Sequence, residues 1–146
     1  MLNPSDFPPV PWRNGAGTTR ELAAATTPSG GLRWRISVAD LARDAPFSAF
    51  PGTDRLFTAL GALRLTVNGT STGLAAGEQL RFAGEDDVAV ALDQPTRALN
   101  VMTARGVCRA EVVLRSAASP GEEGAVATVD LGERVADVFV TDLSGD

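Results

Sequence analysis

Residues 56–69, LFTALGALRLTVNG, hold two apolar runs of five residues, LFTAL (56–60) and LRLTV (63–67). Gly61-Ala62 breaks them apart and Asn68-Gly69 follows the second at once. Runs this short are strand-sized, and an Asn-Gly pair beside them is a strong hairpin signal because both residues tolerate the positive φ of a tight turn. Working upstream, WRISVA (34–39) sets Trp34, Ile36 and Val38 on one face and Arg35, Ser37 and Ala39 on the other, the period-two pattern of a half-buried strand. Downstream, EQLRF (78–82), VAVAL (88–92), ALNVM (98–102), AEVVL (110–114), ATVDL (127–131) and DVFVT (137–141) repeat the same short apolar format. Glycines or charges punctuate most of the gaps, so the pattern predicts an all-β antiparallel barrel or sandwich with little helix. The best helical stretch is VADLARDA (38–45), which is short, Asp-rich and stopped by Pro46. SAASPGEEG (116–124) reads as an exposed loop and as the place for a seam between two lobes of one domain spanning 1–146.

Composition excludes several function classes. The chain has 146 residues, 44% hydrophobic and 21% charged, ordinary values for one globular domain. Its net charge of −5, with EDD at 85–87 as the densest cluster, offers no basic patch for a phosphate backbone, which argues against nucleic acid as a partner. MLNPSDFPPVPW lacks a cationic start followed by an apolar run, and no stretch of 18 apolar residues exists, so no membrane partner and a cytoplasmic location are expected. The single cysteine, Cys108, lies in the apolar run VCRAEVVL and reads as a buried, inert thiol.

The chain has no histidine and no tyrosine, and all 13 cationic side chains are arginines. Imidazole metal sites, Ser-His-Asp nucleophiles and lysine Schiff bases are therefore unavailable. No metal and no other cofactor is expected. Chemistry must come from carboxylates, guanidiniums, hydroxyls or amides.

PWRNGAGTTREL (11–22) packs Trp12, Arg13, Asn14, two glycines and two threonines into a segment with neither helical nor strand periodicity. It reads either as a connecting loop whose Trp12 plugs the core or as a loop that approaches a polar ligand through Asn14 and Thr19. PFSAFPGTDR (46–55) then passes from Phe47 and Phe50 through Pro51-Gly52 to Arg55 at the mouth of a strand. If that strand lies near WRISVA, Arg35 and Arg55 converge. Two guanidiniums around one cavity suit a carboxylate far better than they suit each other. Without an anion, Glu21, Asp40 or Asp54 has to pair them.

These stretches, followed by LNVMTARG (99–106), resemble in order and spacing the HutD/Ves family of cupin-like bacterial proteins. The resemblance is dense over residues 11–60 and returns at 99–106. The chain departs from the family pattern with Arg13 for Lys, Ala16 for the middle Gly, Ala45 for Gly and Ala98 for Asp. The resemblance implies a cupin-like antiparallel β-barrel, bicupin-like with its second half trimmed, and a role attached to histidine-utilisation loci or stress response. Family members are not established enzymes, and ordinary cupins hold a metal through barrel histidines that this chain lacks.

The expected function is a binding or regulatory module for a small carboxylate-bearing metabolite. Its pocket would be lined by Asn14, Thr19, Arg35, Ser37, Phe47, Arg55 and Asn100, in a monomer or small homo-oligomer. The alternative is a metal-independent isomerase or lyase with Glu21 or Asp54 as general base against Arg35. The two are separated by whether a carboxylate in the cavity is free or consumed by an arginine.

Overall fold

The computed structural model describes residues 1–143. A 3-10 turn, Pro4–Asp6, precedes thirteen strands. These are β1 (Val10–Pro11), β2 (Gly17–Thr26), β3 (Leu32–Leu41), β4 (Ala45–Pro46), β5 (Thr53–Ala59), β6 (Leu63–Val67), β7 (Thr70–Leu74), β8 (Gln79–Ala83), β9 (Val88–Ala91), β10 (Thr96–Ala104), β11 (Cys108–Ser116), β12 (Ala127–Asp130) and β13 (Arg134–Asp142). All strand pairs within the sheets are antiparallel. Among the described residues no helix is long and apolar enough to cross a membrane.

The strands form a six-stranded sheet in the order β1-β2-β3-β10-β5-β8, a four-stranded sheet β4-β9-β6-β7 and a three-stranded sheet β11-β13-β12. The six-stranded sheet is central. Ile36, Val38, Leu56, Leu99 and Val101 from one of its faces pack with Ala110, Val112, Val129, Ala136 and Val138 of the three-stranded sheet. Ala39, Leu41, Phe57, Ala59 and Ala98 from the opposite face pack with Leu63, Leu65, Leu74, Val88 and Val90 of the four-stranded sheet. Because both faces are covered, Ile36 through Ala39, Arg55 through Ala59 and Ala98 through Thr103 are continuously buried. The alternation in WRISVA therefore separates an apolar face from a polar but covered one, not from solvent.

The Asn68-Gly69 turn joins β6 to β7, with φ of 48° and 85°, the left-handed pair that a two-residue hairpin requires. VADLARDA is not helical. Its first four residues complete β3, where Val38, Ala39, Asp40 and Leu41 are laddered to β2 on one side and β10 on the other. Two sets of cross-strand partners outweigh a weak local helical preference. The 116–124 loop is exposed and connects β11 to β12.

Candidate functional site

The register of β3, β10 and β5 decides which side chains meet. Asn100 on β10 pairs with Ser37 on β3 and with Phe57 on β5, while Met102 pairs with Arg35 and with Arg55. Two rows thus cross the sheet on one face, Glu21–Ser37–Asn100–Phe57 and Arg35–Met102–Arg55–Phe82, with Glu21 supplied by β2 and Phe82 by β8. Arg35 and Arg55 stand two strands apart, so their Cα atoms are separated by about 10 Å and their side chains can reach one bound molecule. This is the face that packs toward the four-stranded sheet.

Arg55 is the most unusual residue of the set. It is only 7% exposed, and its guanidinium carbon lies 5.3, 5.6 and 5.1 Å from the ring centroids of Phe47, Phe50 and Phe82. Its one protein hydrogen bond is a long donation from Nη1 to the Ser48 carbonyl at 3.5 Å, and its Nε is buried without a partner. Among the described residues no carboxylate pairs with it. Burial lowers its pKa from 12.5 to about 10, which leaves it protonated at neutral pH. The rings compensate the lost hydration in part through their quadrupoles. They satisfy none of its N–H donors.

The neighbouring side chains differ in how far they are already engaged. Asn100 is buried, and its Oδ1 has no hydrogen-bond partner. Ser37 is buried beside it. Arg35 is about a third exposed, and its Nε is 2.8 Å from Glu21 Oε1. The N–H is not aimed at that oxygen and makes no aligned hydrogen bond, so the contact is an ion pair only. Phe47 touches both Trp12 and Phe57, with ring centroids 6.0 Å apart in each case.

The two remaining expected site residues serve the opening segment instead. Thr19 Oγ1 accepts from Trp12 Nε1 at 2.8 Å, fixing the indole against the Phe47 side of the core. Asn14 is exposed, its Oδ1 accepting from the Ala16 N–H at 2.9 Å in a local turn around Gly15, whose φ is 71°. Gly17 has a packing reason, since a Cβ there would sit 2.5 Å from the Asp40 carbonyl oxygen. PWRNGAGTTREL therefore builds the wall behind the site through Trp12 and Thr19, and Asn14 lies outside the two rows. Ala98 is fully buried between Ala39 and Ala59 in the apolar core, so no carboxylate is present at that position.

The aromatic cage is held down from above. Phe50 N–H donates to the Gly84 carbonyl, Gly84 N–H donates to the Thr53 carbonyl, and a Cβ on Gly84 would meet the Phe50 carbonyl oxygen at 2.0 Å. Arg105 binds the same turn, donating to the Thr53 carbonyl at 2.8 Å and pairing with Asp54 at 2.9 Å and with Glu85. Its hydrogen bond to Glu85 holds that carboxyl down from 4.5 to about 2. Asp54 is thus consumed by Arg105 and, next to Arg55 in the strand, points to the opposite face. Phe82 was the part of the cage that pattern reading overlooked. Its signal was the Leu80–Phe82 alternation in EQLRF, which becomes informative only once β8 is known to pair with β5.

Two concavities of about 260 and 320 Å³ lie elsewhere on the molecule, beside Pro95 and Arg97 and beside Arg64 and Asp93. Neither is lined by Arg35, Ser37, Arg55 or Asn100. Among the described residues no three His, Cys, Asp or Glu side chains converge where a metal ion would sit.

Residues 4–137 match the HutD family as a whole. The chain belongs to the HutD family. A "Protein Ves" from Citrobacter koseri is 37% identical over 128 residues, covering 83% of this chain and 67% of the relative. An "Uncharacterized 21.2 kDa protein in hutC 3'region" from Pseudomonas putida is 37% identical over 99 residues, covering 63% of this chain and 50% of that one. This HutD-family chain thus spans between half and two thirds of the length of these relatives. Among solved structures, a conserved protein of unknown function from Pseudomonas aeruginosa superposes with a TM-score of 0.70 at 34% identity over 78% of this chain and 61% of that one. HutD from Pseudomonas fluorescens superposes with a TM-score of 0.77 at 23% identity over 97% of each chain. An RmlC-like cupin from Shewanella frigidimarina, at 10% identity and a TM-score of 0.55 over 68% of this chain and 86% of that one, marks the fold as cupin-like.

Proposed function

We propose that the chain is a binding or regulatory module that takes a small carboxylate-bearing metabolite on the β3–β10–β5 face. Arg55 and Arg35 are the guanidinium donors, Asn100 and Ser37 orient the ligand, and Phe47 supplies an apolar wall. The observation that carries the reading is Arg55, a buried cation whose Nε has no partner and whose guanidinium carbon lies over three aromatic rings. Buried charges are normally paired, and an unpaired guanidinium in a fixed position is a ready two-pronged donor for a carboxylate. The open Asn100 Oδ1 in the next row is a second unfilled polar position, suited to a donor on the ligand.

The metal-independent enzyme is the weaker reading, because it needs a free carboxylate base facing the arginines. Glu21 is paired with Arg35, and Asp54 is paired with Arg105. The proposed link to histidine utilisation draws on the Pseudomonas putida relative, whose name places it in the hutC 3' region.

The test is a thermal-shift panel of formate, urocanate, glutamate, formylglutamate and unrelated carboxylates on the native chain and on Arg55→Lys and Arg35→Lys. A ligand at 100 times its dissociation constant stabilises the native state by about 2.7 kcal/mol. For a chain of this size that raises the midpoint by roughly 5–11 °C. At least one carboxylate is expected to do so, and Arg55→Lys to remove most of the shift, because lysine keeps the charge and loses the fork. Midpoints unmoved at millimolar ligand, or an Arg55→Lys variant that responds like the native chain, would rule the site out.

A further inference from the structure

We infer that Glu21 is a specificity-determining residue that makes this site select ligands with one carboxylate and reject those with two. The inference rests on the carboxylate-binding reading above. Its starting point is a charge count along the two cross-strand rows. Their charged side chains are Glu21, Arg35 and Arg55. Arg35 and Glu21 neutralise each other at 2.8 Å, whereas Arg55 has no anion among the described residues. The two rows therefore carry one uncompensated positive charge, which one carboxylate cancels.

The rest of the face is neutral. Ser37 and Asn100 lie in the row next to the arginines, and Met102 lies between them, so a ligand seated on Arg55 and extending toward Arg35 meets amide, hydroxyl and thioether groups first. A second carboxylate at the far end then meets Arg35 already occupied by Glu21. It must displace Glu21 or sit against its negative charge, and like charges brought together in a partly desolvated site are costly. A ligand ending in an amide or hydroxyl has no such conflict. Rejection by a built-in charge is a common route to specificity, since it acts against the competitor without weakening the preferred ligand.

The backbone explains why Glu21 is there. The β2–β3 pairing slips between Glu21 and Ala23, leaving Leu22 as the extra residue of a bulge. Leu22 turns into the core on the other face of the sheet at 5% exposure, while Glu21 stays opposite Ser37, within reach of Arg35. The bulge re-aims Leu22 and Ala23, which follow, and leaves the face of Glu21 as the unbroken ladder from Gly17 sets it. Glu21 is also more than half exposed, so its replacement leaves the core untouched.

The experiment is titration calorimetry with two isosteric probe pairs, glutarate against its monoamide and succinate against its monoamide, on the native chain, Glu21→Gln, and Glu21→Gln combined with Arg35→Met. The native chain is expected to bind each monoamide about tenfold more tightly than the diacid, the scale of one unscreened like-charge contact. Glu21→Gln should raise diacid affinity by about tenfold or more and leave the monoamide within about threefold. Adding Arg35→Met should remove the diacid's gain, because the gain runs through the freed guanidinium. If the monoamides bind and the ratio is the same in the native chain and Glu21→Gln, the charge filter is wrong while the site stands. If no probe binds any of the three proteins, both readings fall.

Discussion

Arg115 on β11 and Arg55 on β5 are both largely withdrawn from water, and they are satisfied in opposite ways. Arg115 meets the buried Asp137 through Nε at 2.7 Å and Nη2 at 3.3 Å, and Thr128 Oγ1 donates to the same carboxylate at 2.6 Å. The Arg115 hydrogen bond, ahead of the opposing effect of burial, holds the Asp137 carboxyl below the usual carboxylate range. Every strand of the three-stranded sheet contributes one of these three residues, so the pair acts as a structural rivet. Arg55 has rings on its faces and only one long hydrogen bond. A guanidinium paired inside the protein has little left for a ligand, whereas one held mainly by aromatic rings keeps most of its donors and gives up stability to do so.

The contrast breaks most visibly at Asp137. Asp137→Ala leaves Arg115 and Thr128 without their acceptor, and the expected loss is about 3 kcal/mol, the low end for opening a buried ion pair because Arg115 keeps some contact with water. Denaturant titration measures it directly. A loss under about 1 kcal/mol would mean that Arg115 is no more firmly anchored than Arg55.

Acid sharpens the same comparison with an exposed pair. Glu85 is held at about 2 in the folded chain by Arg105, below its ordinary 4.5. A depressed carboxyl contributes stability above its unfolded pKa and loses it as pH falls through the folded one. The native chain should therefore lose stability between pH 4.5 and 2 more steeply than Arg105→Gln, in which Glu85 titrates near its ordinary value. Denaturant midpoints for both proteins across that window decide it, and parallel curves would show that the clasp over the cage contributes nothing.

The smallest effect is expected at Arg55 itself. Arg55→Met removes a desolvated charge and keeps an unbranched side chain among the three rings, so stability should stay within about 1 kcal/mol of the native chain, with a gain as the expected sign. A loss of about 3 kcal/mol would make Arg55 a structural residue like Arg115 and dissolve the contrast.

Much of this architecture was readable beforehand. The short apolar runs at 34–39, 63–67, 98–102 and 110–114 fall within strands, the run at 56–60 does so but for Leu60, and Asn68-Gly69 makes the expected hairpin. These are local signals, set by side-chain spacing and by the φ that a turn demands. The shared face of Arg35 and Ser37 was equally legible, as was the position of Arg55 near the start of its strand. The polar stretch at 11–22 was harder. Its residue types allow a ligand loop as well as a core plug, and the structure gives a turn at Asn14, a Trp12–Thr19 bond and, from Gly17 on, strand β2.

Period-two alternation tells which side chains of one strand point the same way, whatever the strand lies beside, because it follows from the backbone alone. Which arginine has an anion and which has not is a different kind of fact. It depends on β10 inserting between β3 and β5, on the β2–β3 register that sets Glu21 opposite Ser37 beside Arg35, and on β8 and the Phe47–Phe50 turn closing over Arg55. Apart from the Phe47–Phe50 turn, those contacts join residues distant in the chain, and no local preference encodes them. Shifting any of those pairings by one residue would turn the same side chains to the other face, so the charge left unpaired here is set by register.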